Sequence, residues 1–248
     1  MNKYGILGWP LERSYSPIIH TFLLKHASIE GNYELIKLNE INNKNIDHIN
    51  NNYSGYNITI PYKEKILEVS EGAHLDVHVE KIGSVNTVKN KDGITSFHNT
   101  DYLGFLNFLE IINFNPEGRT IMTLGSGGSS KAIKYALNLM NAETTIVSRT
   151  NKVEAISYQD LNYRANEVDV LINTTPIGMP PYENETLDIN IENFNNLELV
   201  MNIGYGSNNN FLTLFNDDIQ KFDGLGMLIC QAIESFIQYL DFISFNSY

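Results

Sequence analysis

Residues 120–140 have the sequence TIMTLGSGGSSKAIKYALNLM. A short apolar strand pattern runs directly into a glycine-rich turn and then into a helical pattern. Gly125, Gly127 and the small Ser130 match the spacing G-x-G-x-x-G/A, in which a tight turn and a closely approaching pyrophosphate leave little room for side chains. The P-loop spacing is absent, because Lys131 precedes Ala132 rather than serine or threonine. The stretch predicts a dinucleotide-binding turn, and the alternative is a glycine turn that binds no ligand.

The nucleotide would meet two groups of residues. Main-chain amides at a helix start favour a phosphate, and the candidates are Gly125, Ser126, Gly127, Gly128 and Ser129. About twenty residues further on, where an NAD site usually has a carboxylate, the chain has Ser148, Arg149 and Thr150. Arg149 can form a charge-assisted bond of about 1.5–3 kcal/mol with a 2′-phosphate, and Lys152 can add positive charge. We therefore expect NADP (NADPH) as the cofactor, with NAD as the alternative. The alternative for Arg149 is an exposed surface arginine.

Alternating strand and helix patterns extend on both sides of this turn. Further strands are predicted at 4–7, 33–38, 56–60, 144–147, 170–173, 199–203 and 221–222. Helices are predicted at 17–27, 101–113 and 226–242, and Asp92-Gly93 predicts a hairpin turn between 84–89 and 94–98. The asparagine-rich residues 42–52 are predicted to form a polar loop. The alternation indicates the α/β class, with parallel strands.

Composition excludes several classes of protein. The 248 residues carry a formal net charge of −12, which argues against an extended nucleic-acid or anionic-membrane surface. Cys230 is the single cysteine, so no internal disulfide can form. No apolar run reaches the length of a membrane span, and the first residues lack the features of a signal peptide. We expect a cytoplasmic protein that binds small molecules, with no nucleic-acid or membrane partner and no metal.

Lys63 is predicted to lie at a corner between a strand and a helix. Residues 55–60 alternate as a short strand, Pro61 cannot extend a central ladder, and a helix is predicted from Tyr62 onward. Such corners line clefts. Lys63 is therefore a candidate proton donor, and the alternative is a solvated lysine at the start of a surface helix.

Separated motifs together resemble the shikimate dehydrogenase family, including its quinate/shikimate relatives. They are Gly8-Trp9-Pro10, Ser14-Tyr15-Ser16-Pro17 with His20, 57–63 (NITIPYK), 83–87 (GSVNT), Asn99-Thr100-Asp101, 125–128 (GSGG), 148–150 (SRT), 173–179 (NTTPIGM) and 224–227 (GLGM) with Gln231. The resemblance implies reversible, NADP-linked reduction of 3-dehydroshikimate to shikimate in aromatic amino-acid (chorismate) biosynthesis. It also implies two domains: an N-terminal α/β substrate domain, residues 1–101 completed by the C-terminal helix 226–248, and a Rossmann-type dinucleotide-binding domain, residues 102–225.

The resemblance also assigns roles to individual residues. It implies that Lys63 is the acid and base of the reaction and that Asp101 assists it. The residues that it places at the substrate are Ser14, Ser16, Thr59, Lys63, Asn86, Asp101, Tyr205 and Gln231. Both serine hydroxyls suit the substrate carboxylate, although a helix-capping role explains Ser16 well and Ser14 poorly. Further nucleotide contacts are expected from Thr174, Thr175, Gly224 and Met227.

Some positions depart from the pattern of the family. Tyr102 follows Asp101 where glycine is typical, and it could narrow the site or pack against a helix. Ser148 begins the adenine-side motif where asparagine is usual, Val153 replaces a basic residue, and Asn202 replaces an aspartate. An NAD-using quinate/shikimate-type dehydrogenase and a non-catalytic dinucleotide-binding relative therefore remain alternatives. The assembly is expected to be a monomer or a homodimer.

Overall fold

The computed structural model of the protein describes residues 1–150, 154–178, 182, 184–206 and 210–241. The chain divides into two compact units. The first contains residues 1–104 and the chain from residue 228 onward, and the second contains residues 105–227. Each unit has its own sheet. The α/β fold class expected from the sequence is confirmed.

The first unit contains a mixed sheet with the strand order β2-β1-β3-β5-β6-β4. Its strands are β1 (Asn2–Gly8), β2 (Gly31–Lys37), β3 (Gly55–Ile58), β4 (His74–Leu75), β5 (Thr87–Lys91) and β6 (Ile94–His98). Strand β1 is parallel to both β2 and β3, whereas β5 is antiparallel to β3 and β6. The predicted hairpin is confirmed. Asp92 and Gly93 have φ angles of 51° and 77° between β5 and β6, as a tight hairpin turn requires.

The helices are α1 (Ser16–His26), α2 (Asn43–Asn52), α3 (Tyr62–Lys65), α4 (Val77–Ile82), α5 (Asp101–Ile111), α6 (Gly128–Leu139), α7 (Tyr158–Arg164) and α8 (Leu225–Leu240). In the first unit, Leu7 and Tyr56 pack with α2 in one core. Tyr4 and Ile6 of the same strand β1 pack with Leu24 of α1 and with α8 in another core. Strand β1 is therefore covered on both faces, which explains its apolar sequence. No helix in the described part of the chain has the length and apolar character needed to span a membrane.

The prediction of a polar loop at residues 42–52 is wrong, because α2 occupies this segment. Asn42 caps the helix by accepting a hydrogen bond from the Asn45 amide at 3.0 Å, and the Asn45 side chain accepts one from the Asn42 amide at 2.9 Å. Such a reciprocal box satisfies two backbone donors that a helix start leaves unpaired. Ile46 and Ile49 are buried on one face of the helix. Capping and this apolar pair outweigh the low helix propensity of asparagine.

The second unit contains a parallel sheet with the strand order β12-β11-β10-β7-β8-β9. Its strands are β7 (Thr120–Leu124), β8 (Glu143–Val147), β9 (Ala155–Ile156), β10 (Val170–Asn173), β11 (Leu199–Asn202) and β12 (Gln220–Asp223). In chain order this is the 3-2-1-4-5-6 arrangement of a Rossmann-type sheet. Ligands of such sheets bind beyond the carboxyl ends of the strands, where the order reverses between β7 and β10. The glycine turn and residues 174–175 follow these two strands.

Candidate active site

The backbone of the first unit fixes the position of Lys63. Strand β3 ends at Ile58, and α3 begins at Tyr62 after a corner that contains Pro61. The buried Tyr62 anchors this corner, because its hydroxyl donates to the Leu38 carbonyl at 2.7 Å. The Lys63 carbonyl accepts a hydrogen bond from the Val85 amide at 2.7 Å. The lysine is therefore held at a defined point beside the start of β5.

Lys63 and Asp101 form a close ion pair within the first unit. Lys63 Nζ lies 2.6 Å from Asp101 Oδ2, and the two side chains are 14% and 7% exposed. The alternative of a solvated lysine is therefore excluded. Because an ammonium–carboxylate pair is stronger when water is largely removed, this contact fixes both side chains.

Asp101 has separate partners for its two carboxylate oxygens. Oδ2 accepts from Lys63, and Oδ1 accepts from Asn86 Nδ2 at 2.8 Å. The residue begins α5, and its main-chain amide donates to Asn99 Oδ1 at 3.1 Å. The positive end of the helix dipole favours an anion at this position. The carboxylate is thus an oriented acceptor beside the lysine.

Asn86 joins this ion pair to α8. Its Nδ2 lies 3.0 Å from Thr100 Oγ1 and 3.2 Å from Gln231 Oε1, in addition to the bond to Asp101. Gln231 is buried, and its Nε2 donates to the Leu228 carbonyl at 3.0 Å. Four of the predicted substrate residues therefore form one hydrogen-bonded cluster: Lys63, Asn86, Asp101 and Gln231. Asn86 and Gln231 bond to protein groups within it.

Ser14 and Ser16 form a second polar group in the same unit. Ser14 Oγ accepts from the Ser16 main-chain amide at 3.1 Å, and Ser16 is buried as the first residue of α1. The capping expectation is therefore reversed, since Ser14 and not Ser16 satisfies an amide at the helix start. Thr59 lies just after β3, with its methyl group so close to Gly8 that no β-carbon would fit there.

Tyr102 packs against a helix. It is 7% exposed, and its ring stacks on that of His78 of α4 with a centroid distance of 4.8 Å. Of the two alternatives for this residue, the structure supports packing. The contact fastens the start of α5, next to Asp101, to α4.

The glycine turn of the second unit has the geometry that a phosphate needs. Gly125 has a φ of +101°, and a β-carbon there would lie 2.8 Å from Thr174 Oγ1. A β-carbon at Gly127 would meet no atom within 4 Å. Gly127 is also the N-cap of α6 and has no side chain to accept bonds from the first-turn amides. A helix start with no side-chain cap and space at Gly127 therefore fits a pyrophosphate, and Ser126, Gly128 and Ser129 belong to the same turn.

Hydroxyl groups line the end of β8 next to this turn. Ser148 Oγ lies 3.1 Å from Ser126 Oγ and 3.2 Å from Thr150 Oγ1. The Arg149 side chain is 71% exposed, and its Nη1 lies 3.8 Å from Glu185 Oε2. Hydroxyls and an accessible guanidinium, with no carboxylate in the strand-end motif itself, suit a phosphorylated ribose. Lys152 and Val153 lie outside the described residues.

The remaining nucleotide candidates follow β10 and β12 or lie beside them. Thr174 Oγ1 donates to the Leu124 carbonyl at 2.7 Å, and Thr175 Oγ1 donates to Asn173 Oδ1 at 2.7 Å. Asn173 Nδ2 also donates to Asn202 Oδ1 at 3.0 Å. Asn202, which stands where the family usually has aspartate, therefore links the end of β11 to the end of β10. The other predicted residues in this unit are Gly224 after β12, the buried Met227 in α8, and the half-buried Tyr205 after β11.

Three residues that hold Asn86 in place were not predicted as site residues: Asn57, Thr87 and Thr100. They are buried and bonded to Asn86. Their only signal in the sequence is their place inside the motifs around Lys63, Asn86 and Asp101. Within the described ranges, no group of three or more histidine, cysteine, aspartate or glutamate side chains could hold a metal ion.

A Rossmann-type unit and a second α/β unit with a largely buried lysine–aspartate pair define a class of two-domain α/β proteins with a dinucleotide-binding fold. Comparison with known proteins narrows this class. A family model described as the shikimate dehydrogenase substrate binding domain matches residues 6–88. The shikimate dehydrogenase (NADP(+)) of Methanococcus vannielii is 34% identical over 94% of this chain and 89% of its own length. That of Alkaliphilus metalliredigens is 32% identical over the same shares.

A solved structure gives the same result. Shikimate dehydrogenase 1 from Peptoclostridium difficile superposes with a TM-score of 0.88 at 28% identity, over 99% of this chain and 94% of that one. The chain belongs to the shikimate dehydrogenase family.

Proposed function

We propose that the protein catalyses the reversible, NADPH-dependent reduction of 3-dehydroshikimate to shikimate. The Methanococcus vannielii and Alkaliphilus metalliredigens relatives are both named shikimate dehydrogenase (NADP(+)). The observation that carries the proposal is the largely buried contact of 2.6 Å between Lys63 Nζ and Asp101 Oδ2. A carbonyl reduction needs a proton donor at the substrate oxygen, and a lysine oriented by a carboxylate can supply that proton.

The chemistry follows from this pair. NADPH supplies a hydride to the ketone carbon when it is bound. Lys63 Nζ donates a proton to the ketone oxygen as that oxygen gains negative charge, and it takes the proton back in the reverse direction. Asp101 keeps the ammonium group oriented and accepts a bond from a ring hydroxyl. The same two side chains thus serve both directions of the reaction.

Other residues of the first unit orient the substrate. Ser14 Oγ accepts from an amide at 3.1 Å and keeps its own proton for an outside acceptor, so it suits the substrate carboxylate. Ser16 is the second carboxylate ligand in the proposal. Thr59 and Gln231 bind ring hydroxyls, and Asn86 supports Asp101 beside them. Tyr205 is a further substrate ligand in the proposal.

The two units have separate tasks in this proposal. The first unit binds the substrate, and the second binds NADPH. The amides from Gly125 to Ser129 hold the pyrophosphate, and Arg149 with the hydroxyls of Ser148 and Thr150 holds the 2′-phosphate. Cys230 is the single cysteine, and it is free and buried. A protein without disulfides fits the reducing conditions of the cytoplasm.

Turnover of shikimate and of quinate, each with NADP⁺ and with NAD⁺, tests the proposal. The substitution Lys63→Met should lower kcat by about 10²- to 10⁴-fold, as the loss of a general acid usually does, while binding of shikimate is retained. Lys65→Met is the matched control, because Lys65 lies on the same short helix and is exposed. Full activity of Lys63→Met would remove the lysine from its role. Absence of turnover in the unmodified protein with all four pairs would overturn the function itself.

A further inference from the structure

The side-chain amide of Asn57 is buried and uses its full hydrogen-bonding capacity. Its Oδ1 accepts from the hydroxyls of Tyr33 at 2.7 Å and Tyr239 at 2.9 Å. Its Nδ2 donates to the Asn86 carbonyl and to Thr87 Oγ1, both at 3.2 Å. Because a carbonyl can only accept, the bond to Asn86 fixes which side of the amide is nitrogen. Asn57 thereby links β2 and α8 to the start of β5.

The Thr87 hydroxyl lies between a donor and an acceptor. It receives the bond from Asn57 Nδ2, and it donates to Asn86 Oδ1 at 3.0 Å. The Thr100 amide also donates to Asn86 Oδ1, at 2.6 Å, which identifies that atom as the oxygen. Thr87 is fully buried and Asn57 nearly so, and water is therefore a poor substitute for either partner.

These bonds determine where the other side of the Asn86 amide points. With Oδ1 held by Thr87 and Thr100, Nδ2 faces Asp101 Oδ1 at 2.8 Å. Asp101 Oδ2 is then left for Lys63. Each group in this chain of hydrogen bonds therefore donates to the next one. The chain leads from the tyrosine hydroxyls through Asn57, Thr87 and Asn86 to the Asp101 carboxylate.

We propose that Asn57 and Thr87 are positioning residues for proton transfer by the Lys63–Asp101 pair, and that they act through Asn86. The proposal rests on the proposed function. Without the bond from Thr87, the Asn86 amide loses a partner that holds its orientation, and Asp101 loses a defined donor at Oδ1. The carboxylate then populates orientations in which it no longer holds Lys63 Nζ toward the substrate, so the chemical step slows while substrate binding changes little.

The pair Thr87→Val and Thr87→Ser tests this role. Valine keeps the shape and removes the hydroxyl, whereas serine keeps the hydroxyl and removes the methyl group. Because the loss of one buried hydrogen-bonding partner is costly, kcat should fall by about 10- to 100-fold in Thr87→Val. KM for shikimate should stay near its original value, and Thr87→Ser should restore kcat. Asn57→Asp, which removes the donor toward Thr87, should lower kcat in the same way.

Thr123→Val is the matched control for the loss of a buried strand hydroxyl. Thr123 lies in β7 of the second unit, and its hydroxyl has no hydrogen-bond partner among the described residues. This variant should keep kcat unchanged. An unchanged kcat in Thr87→Val, or a failure of Thr87→Ser to restore it while the protein stays folded, would overturn the positioning role.

A second measurement separates this proposal from the proposed function. The side-chain NH₂ protons of Asn86 should exchange slowly with water in a ¹⁵N-labelled sample. Exchange should be fast in Thr87→Val and slow again in Thr87→Ser. If the unmodified protein shows no turnover of shikimate, the proposed function fails, and the exchange result still decides whether Thr87 orients Asn86. Slow exchange in Thr87→Val would refute the orientation.

Discussion

Replacing Arg149 by glutamine should weaken the binding of NADPH and leave the binding of NADH nearly unchanged. Arg149 follows β8, its side chain is 71% exposed, and Glu185 lies 3.8 Å from its guanidinium. The 2′-phosphate is the one group that distinguishes the two nucleotides. Arg149 is the described basic side chain at the end of this strand, so the preference should depend on it.

The structure sets the size of this effect. A hydrogen bond to a charged group contributes about 1.5–3 kcal/mol, and the exposure of Arg149 places it at the lower end. The ion pair with Glu185 competes with the phosphate, and an exposed pair of this kind is worth about 0–1 kcal/mol. A net contribution of about 1–2 kcal/mol corresponds to about five- to thirtyfold in the dissociation constant for NADPH.

Titration of the purified protein with each reduced nucleotide, at low and at high salt, measures both constants. Glu185→Gln is the matched counterpart, because it removes the competing carboxylate and keeps the size of the side chain. It should tighten NADPH binding by up to about fivefold, since the exposed ion pair is worth at most about 1 kcal/mol. Both effects should shrink as salt rises.

Two outcomes would refute this reasoning. If Arg149→Gln weakens NADPH and NADH equally, the arginine contacts a part that the nucleotides share, such as the adenine or the pyrophosphate. If Glu185→Gln weakens NADPH binding, the carboxylate supports Arg149 instead of competing with the phosphate for it.

Three further predictions concern stability. Gly125→Ala should lower the unfolding free energy by about 1–3 kcal/mol in denaturant titrations, because a β-carbon at φ +101° is strained and approaches Thr174; unchanged stability would contradict this. Burial lowers the pKa of His20 from 6.5 to about 3. As the pH falls below 6.5, His20 is therefore protonated in the unfolded chain but stays neutral in the native protein. The unfolding free energy should then fall by up to about 1.4 kcal/mol per pH unit. His20→Phe should lower that slope by up to about 1.4 kcal/mol per pH unit, and an unchanged slope would contradict the burial argument. Asn42→Ala should cost about 0.5–2 kcal/mol by removing the cap of α2, and an unaltered melting curve would count against the cap.

The sequence predicted best where the determinants of structure are local. Residues 120–140 specify their strand, turn and helix within a single short segment, and β10 and β11 of the second unit are mainly apolar runs in which every residue is buried. Helix α2 escaped prediction for the opposite reason. Its start depends on a reciprocal pair of asparagine side chains, and its apolar face consists of the two buried residues Ile46 and Ile49. Composition alone therefore indicated a loop.

The partners within the site were harder to predict, because they come from distant parts of the chain. Lys63 and Asp101 are separated by 38 positions, and Asn86 and Gln231 by 145. Local periodicity contains no information about such pairs, and only the order of the family's motifs brought these residues together before the structure did. Asn57 and Thr87 lie inside those motifs, yet their hydrogen bonds follow from the register of β3 against β5. That register is a property of the folded sheet.

A helix-capping role and a substrate-binding role do not exclude each other at Ser14. Its Oγ accepts a bond from the Ser16 amide and so supports the start of α1. A hydroxyl has two acceptor positions and one proton, and this bond uses only an acceptor position. Accepting from the amide restricts the directions in which the proton can point, which reduces the entropy lost when it donates to a substrate carboxylate. The capping bond therefore makes Ser14 a better ligand, and both roles belong to the same atom.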